Sequence, residues 1–411
     1  MRDTPLTRDD GSIRGTVLEV SASAVVENAR ILAGRTAAPV IAVVKANAYG
    51  IGAGIIAPAL ARSGVAALAV VTVEEGLELR ALGISTPILV LGGATWLRAP
   101  ELLFELALTP LVSSDDELRR LQHVAERLHR TIDVHVALDT GMAREGFFIT
   151  RDGTSSVDAV VDALSRAPLV RATSAMTHFA HADLASDETT PDQVHRFTRA
   201  LTNLRARSVP IHAAHVANSA AALTLGARPF DLSEEPFDDV TCAIRPGIAL
   251  LGVTPFADGR AQDLLTPVFR WRAPIVMRKR VPAGTHVSYG GTFTTTRETE
   301  LAVLGIGYAD GYPRALSNSG CVRLHGQEAP ILGRVCMDLT VVDVTDIAAR
   351  LGAGACALGT PVTVLGGRGQ DHIPPWDVAE RASTIAYDVM NRISARVPRV
   401  SVRSLDEGAP A

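Results

Sequence analysis

Cysteine is scarce in this chain. Four occur in 411 residues, Cys242, Cys321, Cys336 and Cys356, and no two form a CxxC pair. That argues against a disulfide framework or a zinc site and for structural thiols, so no metal is expected. Long apolar runs are missing as well. None approaches the ~18 residues of a spanning helix, which excludes a membrane partner of that kind. The first ten residues, MRDTPLTRDD, are polar and lack the apolar core of a signal peptide, so a cytoplasmic protein is expected. Neither sign of charge is in excess. Forty Lys and Arg against 44 Asp and Glu leave a net charge of −4, with no long run of one sign. Nothing marks nucleic acid or an anionic membrane as a partner. No low-complexity segment appears.

What is present is globular. Hydrophobic residues make up 47% of the chain and charged residues 20%, and the length suits two domains. Apolar, β-rich stretches recur near Pro39–Val44, Ala66–Val71, Pro87–Leu91, Thr109–Val112, Ile132–Leu138, Leu169–Thr177, Ile211–His215 and Cys242–Ile248. Helical patterns lie between them. Ser114-Asp-Asp-Glu117 reads as a capping box, followed by Leu118, Leu121, Ala125 and Leu128 at helical spacing. Val194, Phe197, Leu201 and Leu204 mark a second helix over Thr190–Arg207. Eight strand–helix units imply an N-terminal (β/α)8 barrel, with a doubly wound open sheet as the alternative. After Gly252 a linker texture gives way to short strands. "VFRWRAPIVMRKRV" alternates in period two, and turn signals separate it from later strands. The expected organisation is a flexible segment 1–15, a barrel over 16–255 and a C-terminal mostly-β domain over 256–411, with Arg381 to Ile393 as a helix of the latter.

The unusual polar segments fall at strand ends. Lys45 ends the first strand, and "DTGMAREG", "THFAHAD", "HVANSAA" and "RPGI" end or follow the fifth to eighth. In a barrel those positions share one rim, the active-site face. A lysine after an apolar run is usually solvated. Here the convergence favours a desolvated amine with chemistry to do. Ser219 offers a hydroxyl, and the amides of Gly247 and Ile248 could face an anion. A phosphate cradle opposite a lysine suggests pyridoxal phosphate.

The chain resembles alanine racemase from about Val17 to Arg399. Ten segments carry the resemblance in order: "VVKANAYGIG", "DTGMAREGF", "THFAHAD", "ANSAA", "AIRPGIALLG", "VSYGGTF", "GYADGYPR", "GRVCMD", "TIAYD" and "RISARVPR". The resemblance implies interconversion of L- and D-alanine by a homodimer with composite sites. It implies that Lys45 carries pyridoxal phosphate and is one base at Cα, and that Tyr289 of the partner subunit is the other. A tyrosine's ordinary pKa is about 10, so such a base needs a site that favours phenolate. Arg245 would meet the pyridine nitrogen, with His178 and His215 in its hydrogen-bond network. Tyr49, Ser219, Gly247, Ile248 and Tyr387 are implied phosphate contacts, and Asn218 braces the ring. Arg144 would bond the cofactor's phenolic oxygen and the substrate carboxylate, which the Met337 amide of the partner subunit would also hold. Tyr308, Arg314 and Asp338 would support or shape the entry.

Some positions depart from the family. Ala137 stands where many members have a lysine that supports the arginine, which leaves Arg144 to a bound anion or another carboxylate. Ile51, Leu251, Asp388 and Ser401 replace a common histidine, tyrosine, glutamate and aromatic residue. Other activities on a related barrel are a broader racemase acting on serine, an amino-acid decarboxylase and a non-catalytic carrier of the cofactor. "VSYGGTF" and "GRVCMD" in the second domain weigh against the last two.

Overall fold

The computed structural model describes residues 12–151, 155–184, 189–224, 237 and 239–405. The first eleven residues of the segment expected to be flexible lie outside it. The strands that position the site are β1 (Val17–Ser21), β2 (Ile41–Val43), β3 (Ala67–Val70), β4 (Ile88–Val90), β5 (Leu108–Val112), β6 (Ile132–Asp139), β7 (Phe147–Phe148), β8 (Val170–Met176), β9 (Ala213–His215), β10 (Thr241–Ala243) and β11 (Phe269–Val281). From β2 to β10 they pair in sequence order, all parallel, with the two-residue β7 on the edge of β6. The ring closes between its ends. Ile41 N donates to Ile244 O at 2.8 Å and Ile244 N to Pro39 O at 2.9 Å. The open-sheet alternative is thereby excluded. The strands are buried almost throughout, as parallel strands covered by helices should be.

The helices follow their apolar stripes. In Asp115–Leu128, Leu118, Leu121 and Ala125 are buried. Ser114 caps that helix by accepting from Glu117 N at 3.3 Å. The Glu117 carboxylate, however, accepts from Ser113 N at 2.6 Å rather than closing the box on Ser114. Thr189–Ala206 buries Phe197, Leu201 and Leu204. The eighth strand is shorter than expected. It ends at Ala243, and Ile248 opens a 3-10 turn, Ile248–Leu251.

The second domain is built on an eight-stranded sheet centred on β11. Residues 17–21, expected in the barrel, belong to this sheet. β1 runs antiparallel to β11 and parallel to Arg399–Val402. A buried charge cluster fixes the pairing: Arg270 Nε and Arg272 Nε each donate at 2.6 Å to the Glu19 carboxylate. Alternation in "FRWRA" therefore puts Phe269, Trp271 and Ala273 in the core and the two arginines on Glu19. The helix expected over Arg381–Ile393 is shorter, Ala386–Asn391, and Arg381 instead ends a separate helix, Pro375–Arg381. Ser383 at φ 54° turns the chain between them. Among the described residues, no helix is long and apolar enough to cross a membrane.

Candidate active site

A cavity of about 720 Å³ opens at the C-terminal ends of the barrel strands, within the range of small-molecule sites. Lys45, Tyr49, Arg144, His178, Asn218, Ser219, Arg245, Gly247 and Ile248 line it from the barrel; Tyr387 closes it from the second domain. Every expected cofactor contact is thus in one place.

Lys45 begins an unusual turn. Ala46, Asn47, Ala48 and Tyr49 all have φ between 51° and 56°. Four successive left-handed residues cost roughly 1–2 kcal/mol each, and strain of this kind collects at functional sites. The neighbourhood offsets it. The Glu75 carboxylate accepts from Ala46 N, from Val71 N at 2.9 Å and from Thr72 N at 3.2 Å. Asn47 Oδ1 accepts from Ala53 N at 2.7 Å. Burial, and then the Arg144 charge, lower the Lys45 pKa, which raises the share of free amine near neutral pH.

Opposite the lysine lies the expected cradle, with one difference. The Gly247 amide is already used, donating to Ser219 Oγ at 2.9 Å. Four other donors on the cavity wall have no protein acceptor among the described residues: the Tyr49 and Tyr387 hydroxyls, the Ile248 amide and Arg245 Nε. Glycine is required at 247, because a Cβ there would stand 2.1 Å from the Tyr49 hydroxyl oxygen.

Arg245 is buried and tightly held. Its Nη1 donates to the His215 carbonyl, and its Nη2 to Thr177 O at 2.8 Å. The two Nη groups also lie 3.0 Å from His215 Nδ1 and 3.1 Å from His178 Nδ1. Burial, and then Arg144, bring its pKa down to about 9, so it stays charged at neutral pH. Burial, followed by the Arg245 charge, pushes His178 down to about 3, a neutral acceptor.

The loop bearing Arg144 is shaped by Asp139, whose Oδ1 accepts from Gly141, Met142 and Ala143 N at 2.9, 2.9 and 3.1 Å. Ala137 is 1% exposed and packs with Leu111 and Met176. No carboxylate bonds Arg144 among the described residues, so the second carboxylate envisaged for it is not supplied by a direct ion pair.

Three residues behind the wall carried no site expectation. Glu75 holds the Lys45 turn. Gln193 donates to His178 O at 3.0 Å and accepts from Ala180 N at 3.0 Å, fixing the His178 loop. His135 Nδ1 lies 2.7 Å from His215 Nε2. The sequence held a cue for each. Thr72-x-x-Glu75 is a capping-box pattern, and the box forms. Gln193 lies on the buried stripe of its helix. His135 shares the strand face of Ala137 and Asp139 by period two.

Tyr289, Tyr308, Arg314, Met337 and Asp338 do not line this cavity. They sit on loops of the second domain. Tyr289 is 72% exposed, and Tyr308, Met337 and Leu339 are exposed as well. Tyr308 N donates to Cys336 O at 3.0 Å and Ala309 N to Met337 O at 2.9 Å. Gly307 allows that approach, since a Cβ would meet Cys336 O at 2.3 Å. Ser288, at φ 63°, donates to Arg334 O at 2.6 Å and holds out Tyr289. The Met337 amide has no acceptor among the described residues. Asp338 is tied to Arg396 at 2.8 Å.

The family model described as alanine racemase, N-terminal domain, matches residues 20–255, and that of the C-terminal domain matches 268–401. The chain belongs to the alanine racemase family. It is 38% identical over 366 residues to an alanine racemase of Clostridium novyi, covering 89% of each chain. Among solved structures it resembles the alanine racemase of D-cycloserine-producing Streptomyces lavendulae. The TM-score is 0.82 at 34% identity, over 97% of this chain and 98% of that one. It also resembles the Bartonella henselae alanine racemase with covalently bound pyridoxal phosphate. There the TM-score is 0.79 at 29% identity, over 94% and 99% of the two chains.

Proposed function

We propose that this protein interconverts L- and D-alanine, with pyridoxal phosphate held at the barrel rim and two acid–base groups on opposite faces of Cα. The observation that carries this is a cavity lined by a lysine of lowered pKa and by four donors lacking protein acceptors among the described residues. Those donors fit the cofactor. Tyr49, Tyr387, Ser219 and the Ile248 amide would hold its phosphate, with Gly247 allowing the close approach while its amide braces Ser219, and Arg245 Nε would meet its ring nitrogen. Lys45 would hold its aldehyde carbon. Arg144 would hold its phenolic oxygen, and Asn218 and His178 would brace its ring. Pyridoxal phosphate there supplies an electron-withdrawing group that acidifies the Cα–H of an amino acid joined to it. The chain's own residues then bind the carboxylate and move the proton. Arg144, with the Met337 amide of the partner subunit, would hold the carboxylate. Lys45 would take or give the Cα proton on one face and Tyr289 of the partner subunit on the other.

This requires a two-fold dimer, which the exposed apolar group of Tyr289, Tyr308, Met337 and Leu339 supports. Tyr308, Arg314 and Asp338 would then border the partner's entry. Four free cysteines suit a reducing, cytoplasmic setting.

The test uses purified protein supplied with the cofactor and single enantiomers of alanine and serine, followed by chiral chromatography. Alanine should approach a 1:1 mixture from either side, and borohydride should fix the cofactor to the peptide containing Lys45. Retained enantiomeric purity would overturn the activity; label on any other lysine would overturn the assignment of Lys45.

A further inference from the structure

We propose that His135 is a positioning residue that locks His215 in the tautomer whose bare Nδ1 receives Arg245. The geometry leaves one consistent assignment of protons. A guanidinium donates and never accepts. With Arg245 Nη1 3.0 Å from His215 Nδ1, that nitrogen must carry the lone pair. The ring proton of neutral His215 is then on Nε2. That atom is 2.7 Å from His135 Nδ1, so His135 accepts there and carries its own proton on Nε2. The direction of donation runs one way: Arg245 to His215 to His135.

The chain is neutral beyond the arginine. Burial and the Arg245 charge hold His215 well below its ordinary value, and the same causes bring His135 to about 4. The two rings are tilted by 51° with centroids 4.9 Å apart. This geometry suits an edge-directed hydrogen bond rather than a stack. His135 is half-buried, on β6, and β9 carries the fully buried His215; β8 lies between them in the sheet. The two histidines therefore bond across the barrel interior, past the intervening strand. Without His135, the His215 Nε2–H loses its buried acceptor. The alternative tautomer would point Nδ1–H at Arg245 N–H, donor against donor. Arg245 would lose one of the restraints that fix the group expected to meet the cofactor's ring nitrogen. That last consequence rests on the function proposed above; the tautomer assignment does not.

The experiment is histidine-selective ¹⁵N labelling of the full-length protein, with and without pyridoxal phosphate, read by two-bond ¹H–¹⁵N correlation. His215 is assigned from its absence in His215→Gln. The wild type should show His215 protonated on Nε2 alone. His135→Leu should give a mixture of tautomers, whereas His135→Asn, whose Oδ1 can accept in place of Nδ1, should keep the wild-type pattern. In the holoenzyme, His135→Leu should lower kcat about tenfold, the usual scale for one buried hydrogen bond, with KM within about twofold. His135→Asn should recover most of that loss. A wild-type His215 protonated on Nδ1 overturns the proposal. So does a folded His135→Leu protein with an unchanged tautomer. If His135→Leu does not fold, the wild-type and His135→Asn spectra decide. A tautomer change in a protein that racemises nothing would leave the lock standing and remove the function instead.

Discussion

Equal amounts of Lys45→Ala and Tyr289→Phe chains, allowed to exchange subunits, should regain roughly a quarter of wild-type activity. Each variant alone should fall by at least about a hundredfold, the lower end of what a positioned acid–base group contributes. The reason is where the two side chains lie. Lys45 lines the barrel cavity, whereas Tyr289 stands exposed on the second domain and outside that cavity. If two-fold symmetry brings each Tyr289 to the other chain's Lys45, a mixed dimer has one site with both lesions and one with neither. Random exchange makes about half the dimers mixed, each with one of two sites intact. If both bases came from one chain, every site would keep a lesion and mixing would restore nothing. A tag on one variant must show that exchange took place.

Arg245→Glu should slow racemisation by about two to three orders of magnitude, the scale for losing one preorganised electrostatic group, and should raise the share of pyruvate formed from alanine. With the cofactor bound, Arg245 would keep its own proton and give none to the ring nitrogen. The ring would then be a weak electron sink, which would favour return of a proton to Cα by the chain's own acid–base groups. A glutamic acid would favour a protonated nitrogen, draw charge into the ring and open protonation elsewhere. His215 and His178, which both accept from Arg245 through Nδ1, would face an acceptor and have to change tautomer. Arg245→Gln serves as the uncharged control. A slower reaction with no change in the ratio of racemisation to pyruvate formation would contradict this electronic account.

The barrel was legible because its strands are near-continuous apolar runs at regular spacing, and parallel strands covered on both sides need that composition. The first strand was not. A short buried strand such as Val17–Ser21 carries no mark of the sheet it joins. Its allegiance is set by Glu19 meeting Arg270 and Arg272 across some 250 residues of chain. The break between the helices ending at Arg381 and starting at Ala386 was also hidden. It rests on Ser383 adopting a positive φ and on Thr384 Oγ1 bonding Asp388 at 2.8 Å. That break matters to the site, because it begins the helix on which Tyr387 stands 5.9 Å from Tyr49, ring to ring. Lys45, Ser219, Gly247 and Ile248 were readable as a lysine and an anion cradle at strand ends, whereas the roles of Tyr49, Arg144, His178, Asn218, Arg245 and Tyr387 came from the family resemblance. The layer behind them carried only local cues: the capping box at Glu75, the buried stripe at Gln193 and the strand face of His135 do not name the partners that the fold brings within reach. The left-handed turn of Ala46–Tyr49 has no local signature either, since alanine has no preference for that conformation.

The central claim is that two bases act on opposite faces of Cα. Its most direct test is the first turnover of L-alanine in D₂O, stopped early and resolved by enantiomer. If one face is deprotonated and the other protonated by a different group, the D-alanine formed should carry deuterium at Cα while the remaining L-alanine keeps protium. Protium returned to the D-alanine product, with deuterium appearing equally in the unconverted L-alanine, would mean one base serving both faces and would contradict the account.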